Sequence, residues 1–285
     1  MKLLRIESLT YGVSDLDVSK RYYDDWGLST TDRGARGVDY LLPSGQTIAL
    51  REVDDKSLPS AVEGGSTIRE IVWGVEGAES LESLGVELST DRDLEVNGGA
   101  IRTHDPSGMG VAFVVAKRVD TPPKTRERGL NRPFAVAPRI RPRRIGHIVF
   151  NIAEEKMQET TAFYLERLGF RLSDRVTQFG DFMRCSGSVD HHNLFLLRKP
   201  VGGFNHVAFE VENLDEVVVG GKFMLEQGWN SATTLGRHIM GSNVFWYFTN
   251  PSGGLSEYYC DMDIMDEDWE PRVWEKNPGF ALWMT

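Results

Sequence analysis

A chain of 285 residues with 40% hydrophobic content is long enough for one large domain or two ordinary ones, each with a real core. Its formal net charge of −10 argues against a nucleic-acid binder, since phosphate contact needs a basic surface, and no window reaches the apolar length that spans a bilayer. Two cysteines, Cys185 and Cys260, are too few for a disulfide framework, and the opening MKLLRIESLTYGVSDLD lacks the apolar run of a secretory signal, so a cytoplasmic protein with two inert thiols and a small-molecule partner is expected.

In chain order, residues 6 to 33 (IESLTYGVSDLDVSKRYYDDWGLSTTDR) read as a strand, an amphipathic helix carrying Tyr22 and Tyr23, a helix stop at Gly27 and a second strand. STIREIVWGVEGAESL then gives a strand followed by an acidic helix start, and HDPSGMGVAFVV a type I turn between strands, with Pro setting φ at its second position and Gly closing it. Residues 118 to 144, with five prolines and a concentration of arginines, break every pattern and read as a linker. After it the same grammar returns. Residues 145 to 175 (IGHIVFNIAEEKMQETTAFYLERLGFRLSDR) repeat the first segment with Phe163 and Tyr164 as the aromatic pair and Gly169 as the stop; GFNHVAFEVENLDEV repeats the second and TNPSGGLSEYY the third. The expected organisation is an α+β protein of two tandem modules, residues 1–117 and 145–262, joined by a linker at 118–144 and followed by a tail at 263–285. The tail carries Trp269, Trp274 and Trp283, and suits a pocket cover, a subunit contact or a strap over the exterior.

Laying the copies over each other sets His147 opposite Ser8, His206 opposite Glu70 and Glu257 opposite Ala112. A requirement of the fold would recur in both copies; three potential ligands confined to one copy point instead to a site carried by that copy. Separations of 59 and 51 residues exclude a local helix motif and require three strands of a curved sheet to converge. Two imidazoles and one carboxylate with positions left open suit non-haem Fe(II) and O2 chemistry, although Mn(II) accepts the same donors. In SVDHHNLFLL, read as running into a strand, side chains alternate, so at most one of His191 and His192 faces a given site. The pocket wall is expected partly from the strands near Phe182, Arg184 and Phe195 and partly from loops. His104 is read as a turn residue, and Arg237 is left unassigned.

With these residues in place, the chain resembles the type I extradiol ring-cleaving dioxygenases of the vicinal oxygen chelate superfamily, two-module proteins with an empty first module and a metal-bearing second. The resemblance implies modules built of paired βαβββ units forming a curved mixed sheet or half-open barrel. It implies His147, His206 and Glu257 as ligands of Fe(II), with an aromatic vicinal diol and O2 as substrates and a homo-oligomeric assembly. It also implies a second set. His192 lies 14 residues before His206, His238 lies 19 before Glu257 and Tyr247 lies 10 before it. The implied roles are His192 as proton acceptor and donor, and His238 and Tyr247 as hydrogen-bond donors to the bound diol or oxygen species. His191 is then left on the other face as a structural or surface residue. Two other functions stay in view: a metal-dependent enzyme of the same superfamily that does not use O2 (isomerase, epimerase or transferase), and a ligand-sequestering binding protein.

Overall fold

A computed structural model describes residues 1–32, 34, 37–117 and 139–285; most of the expected linker lies outside the described residues. The chain builds four successive units of one strand, one helix and three strands. The first has β1 (Leu3–Val13), α1 (Leu16–Asp25), β2 (Ser29–Asp32), β3 (Gly37–Leu41) and β4 (Thr47–Glu52). The second has β5 (Thr67–Val75), α2 (Ala78–Leu88), β6 (Glu95–Asn97), β7 (Ala100–His104) and β8 (Gly110–Val115). The third has β9 (Arg144–Ala153), α3 (Met157–Ala162), β10 (Arg171–Val176), β11 (Gly180–Arg184) and β12 (Leu194–Lys199). The fourth has β13 (Gly203–Glu210), α4 (Leu214–Glu226), β14 (Gly236–His238), β15 (Val244–Thr249) and β16 (Leu255–Cys260). Two short tail strands follow, β17 (Arg272–Trp274) and β18 (Ala281–Met284).

The first two units share an eight-stranded mixed sheet in the order β2-β3-β4-β1-β5-β8-β7-β6; the rest form a ten-stranded sheet in the order β17-β10-β11-β12-β9-β13-β16-β15-β14-β18. Strand register bears out the overlay of the copies. Glu70 pairs with Thr10 as His206 pairs with Val149, and Ala112 pairs with Val72 as Glu257 pairs with Ala208.

Local chemistry sets the element ends. The Asp15 carboxylate accepts from the Val18 N–H at 3.0 Å and caps α1, while Asn213 does the same for α4 from Glu216 at 3.1 Å. Both Pro-Ser-Gly turns form as read: Gly108 N–H donates to Asp105 O and Gly253 N–H to Asn250 O, each at 2.9 Å. Phe163 and Tyr164 sit where α3 widens into a π-helical turn, Phe163–Arg167.

The helices do not pack only on their own sheet. Trp26, at the end of α1, stacks on Tyr258 of β16 with ring centroids 3.6 Å apart and planes 3° from parallel, and Tyr258 donates its O–H to Trp26 O at 2.8 Å. In return, Tyr164 donates its O–H to Asp105 at 2.9 Å, and Phe170 meets Trp73 edge-on. Gln46 bridges the two halves, donating to Ile6 O and Ile145 O and accepting from Ile145 N–H. One buried apolar cluster runs through both, so each half covers apolar surface the other would expose to water.

The tail is neither a free strap nor only a cover. It extends the second sheet at both ends, β17 beside β10 and β18 beside β14. Between these strands, Asn277, Gly279 and Phe280 line the cavity described next.

Candidate metal centre

His147, His206 and Glu257 stand on β9, β13 and β16, which are neighbours in the sheet, and one potential ligand atom from each lies within 4.8 Å of the others. Two local features seat them. Gly146 leaves room for the Tyr259 hydroxyl, which would lie 1.7 Å from a Cβ at that position. Gly220 and Gly221 let α4 lie close on Tyr258 and Trp246, behind the carboxylate strand.

The donor set has the character of a cation site. His206 donates its Nδ1 hydrogen to Asn205 Oδ1 at 2.8 Å, which leaves the lone pair on Nε2. That atom is buried without a hydrogen-bond partner and lies 3.2 Å from Glu257 Oε2, so a lone pair faces a carboxylate oxygen. His147 Nε2 is 3.1 Å from the same oxygen. Asn243 Nδ2 holds the other carboxylate oxygen at 3.0 Å. Burial would raise the Glu257 pKa, but the two imidazoles outweigh it and hold the carboxyl well below its usual range. Burial lowers the pKa of His206. Two imidazole nitrogens and an ionised oxygen, converging in the interior, fit a divalent ion.

The remaining predicted residues surround this point. The His192 ring lies 4.2 Å from that of His147, centroid to centroid. Burial first, and then the neighbouring His147, His191, His238 and His206, keep its pKa well below the ordinary imidazole value, so it is neutral at neutral pH. His238 donates from Nδ1 to Phe280 O at 2.9 Å and accepts the Tyr247 O–H at Nε2, also at 2.9 Å. Burial pulls His238 down to about 4, and burial together with Glu257 pushes Tyr247 well above 10.0. In this arrangement His238 orients the Tyr247 hydroxyl and offers no free N–H to the cavity, whereas the sequence reading expected both as donors to a ligand.

All six residues apart from Glu257 line a cavity of about 320 Å³, whose other walls include Val149, Phe179, Phe182, Phe195, Leu197, Met240, Phe280 and Lys199. Glu257 lies beneath, fully buried. Phe182 and Phe195 stack with centroids 3.8 Å apart and form one flat wall. Arg184 is not on that wall; it is buried and donates to the backbone oxygens of Ser188 and Asp266. Arg237 is tied to Ser242 O and Asp261, away from the cavity.

Of the two alternatives for His191, structural or surface, the first holds: it is fully buried and does not line the cavity, whereas His192 does. The strand starts at Leu194, so parity is not what separates the pair. Its Nδ1 lies 3.0 Å from His192 Nδ1 and its Nε2 lies 2.8 Å from Asp174. Sequence reasoning missed Asp174, Asn205 and Asn243. Asn205 adjoins a predicted ligand in GFNHVAFE and could have been singled out there; the other two carry no spacing signal.

The sequence model of the Glyoxalase/Bleomycin resistance protein/Dioxygenase superfamily matches residues 144–258. Metapyrocatechase 2 of Cupriavidus necator is 35% identical over 127 residues, 45% of this chain and 39% of that protein. The iron-dependent extradiol dioxygenase of Rhodococcus jostii is 29% identical over 153 residues, 49% of each. The matched segments thus span less than half the length of these curated relatives. Among solved structures, the Mn(II)-bound glyoxalase of Novosphingobium aromaticivorans has a TM-score of 0.78 at 25% identity, covering 99% of this chain and 91% of its own. The 2,3-dioxygenase LapB of Pseudomonas sp. KL28 has a TM-score of 0.79 at 20% identity, covering 96% and 98%. Residues 144–258 thus match the Glyoxalase/Bleomycin resistance protein/Dioxygenase superfamily in sequence, and nearly the whole length shares the fold of these solved structures.

Proposed function

We propose that the chain is an extradiol dioxygenase that opens an aromatic vicinal diol beside its hydroxyl-bearing carbons, placing both atoms of O2 in a muconic semialdehyde type product. The observation that carries this reading is the buried pair of imidazoles and one carboxylate at the base of an aromatic-walled cavity with the neutral His192 beside it. The similarity to metapyrocatechase 2 and to an iron-dependent extradiol dioxygenase supports it. In this reading the metal is Fe(II), the chain works in the cytoplasm and it assembles as a homo-oligomer. Buried, unpaired Cys185 and Cys260 suit a reducing compartment, and among the described residues no helix is long and apolar enough to cross a membrane.

His147, His206 and Glu257 would hold the ion. When bound, Fe(II) would acidify the diol hydroxyls and bring the diol and O2 within reach of each other. The protein's residues do the rest. His192 takes the proton from one hydroxyl and later returns it, which a neutral imidazole can do at neutral pH. Tyr247, on turning its O–H from His238 Nε2 to a ligand oxygen, would stabilise developing negative charge there. The stacked Phe182 and Phe195 offer a flat face to an aromatic ring and exclude water. The test is anaerobic loading with Fe(II), followed by a panel of catechols under air. Stoichiometric oxygen uptake and a yellow ring-opened product are expected; neither, across the panel, would sink the reading. The Mn(II)-bound glyoxalase neighbour favours a second reading, a metal enzyme that does not use oxygen, and turnover that persists without O2 would establish it instead.

A further inference from the structure

A buried chain of hydrogen bonds leads from the cavity to the tail. His192 Nδ1 and His191 Nδ1 are 3.0 Å apart, so one of them carries the shared proton and the other accepts it. His191 Nε2 lies 2.8 Å from Asp174 Oδ2. Asp174 is fully buried within the protein and is gripped from the tail. Arg272 Nε and Trp274 Nε1 donate to Oδ1 at 3.0 and 2.9 Å, and Arg272 Nη2 donates to Oδ2 at 3.1 Å. An ionised carboxylate only accepts. Four hydrogen bonds on its two oxygens, two of them from a guanidinium, keep it in that form.

The direction of every proton in the chain then follows. Because Asp174 accepts, His191 carries its hydrogen on Nε2. Its Nδ1 is then a lone pair and must accept from His192 Nδ1. His192 Nε2 is left bare, as the only ring nitrogen of His192 free to take a proton from a ligand. We infer that Asp174 and His191 are positioning residues that fix the tautomer of His192, with Arg272 and Trp274 of tail strand β17 holding Asp174 in place. The inference rests on the reading of His192 as the proton acceptor. When a diol hydroxyl gives up its proton, the O–H bond breaks, an N–H bond forms at His192 Nε2, and the electron pair stays on the diol oxygen. The imidazolium formed is two hydrogen bonds from the buried carboxylate. The same logic governs a serine protease triad, where a carboxylate sets which nitrogen of the base is free.

Asp174→Asn tests this because its outcome can be derived. The Oδ1 position receives two fixed hydrogens, from Arg272 Nε and Trp274 Nε1, against one at Oδ2, from Arg272 Nη2, so the amide oxygen takes the Oδ1 place. The amide NH2 then faces His191 Nε2 and donates to it. His191 shifts its hydrogen to Nδ1, His192 must accept there, and His192 Nε2 becomes protonated and unable to act as base. His191→Asn behaves differently, since asparagine Oδ1 can occupy the place of imidazole Nδ1 and accept from His192 without help from Asp174.

The experiment uses the full chain. Nitrogen NMR of labelled histidines, with Zn(II) as a diamagnetic ion, should show His192 protonated on Nδ1 in the unsubstituted protein and on Nε2 in Asp174→Asn. With Fe(II), Asp174→Asn should lose on the order of a hundredfold or more in kcat, by analogy with the triad, with metal content and KM for the diol held. His191→Asn should lose roughly tenfold or less, and adding Asp174→Asn to it should cost little more, a rescue that a purely structural role would not give. A His192 proton on Nε2 in the unsubstituted chain, or a full loss in the double variant, would overturn the inference. The NMR result on the unsubstituted chain decides the tautomer even if a variant fails to fold. It also does so if no diol is cleaved, an outcome that would count against the enzymatic reading instead.

Discussion

Replacing Trp26 by Ala tests whether the first half supports the second, which carries His147, His206 and Glu257. Trp26 is fully buried and stacks on Tyr258 at 3.6 Å, next in sequence to Glu257; along a strand the two point to opposite faces, so the indole backs the strand that carries the carboxylate. Truncating a buried tryptophan to alanine costs about 3–5 kcal/mol. For 285 residues the unfolding entropy is about 0.6 kcal/mol/K, so the midpoint of thermal unfolding should fall by about 5–8 °C. Differential scanning calorimetry should show one transition moving as a whole. Trp26→Phe keeps a ring on Tyr258 and deletes an indole N–H that has no partner, so it should cost markedly less. Two transitions, with the one that responds to added metal unmoved by Trp26→Ala, would refute the argument that the halves share a core.

Two further outcomes follow from the site. In the metal-free chain, burial sets the folded pKa of His192, His206 and His238 below the ordinary 6.5, to about 4 for His238. As pH falls, the unfolded chain therefore binds protons first; the stability is complete above about 6.5 and declines toward 4, by up to about 1.4 kcal/mol per pH unit for each histidine. Urea unfolding between pH 7.5 and 4.5 checks this, and a flat profile would contradict it. His192→Ala should keep its metal while ring cleavage falls by about 10²–10⁴-fold, whereas His147→Ala should lose the metal itself; metal analysis beside oxygen uptake separates the two.

The clustering of His147, His206 and Glu257 was legible because an internal repeat supplies its own control: Ser8, Glu70 and Ala112 occupy the registers that these residues fill in the second half. Turns and caps were legible because their chemistry is local, as at Asp105 and Asn250. The crossing of helices between halves was not, since an amphipathic pattern tells which face of α1 is buried and not against what. At the histidine pair only His192 lines the cavity, but alternation is not the reason: the rule holds only inside a strand, and β12 begins two residues after His192. Asp174 reaches His191 across 17 residues and Asn243 reaches Glu257 across 14, contacts set by sheet geometry with no periodicity to betray them. The tail's tryptophans suited a pocket cover, a subunit contact or a strap, and only the pairing with β10 and β14 shows that the tail extends the sheet.

The central claim is that one divalent ion is held between His147, His206 and Glu257. A crystal grown without oxygen and soaked in Mn(II), measured at the manganese absorption edge, tests it most directly. The account predicts one strong anomalous peak bonded to the two Nε2 atoms and the Glu257 carboxylate, absent after Glu257→Ala. A peak elsewhere, or full turnover by a protein stripped of metal with chelator, would contradict it.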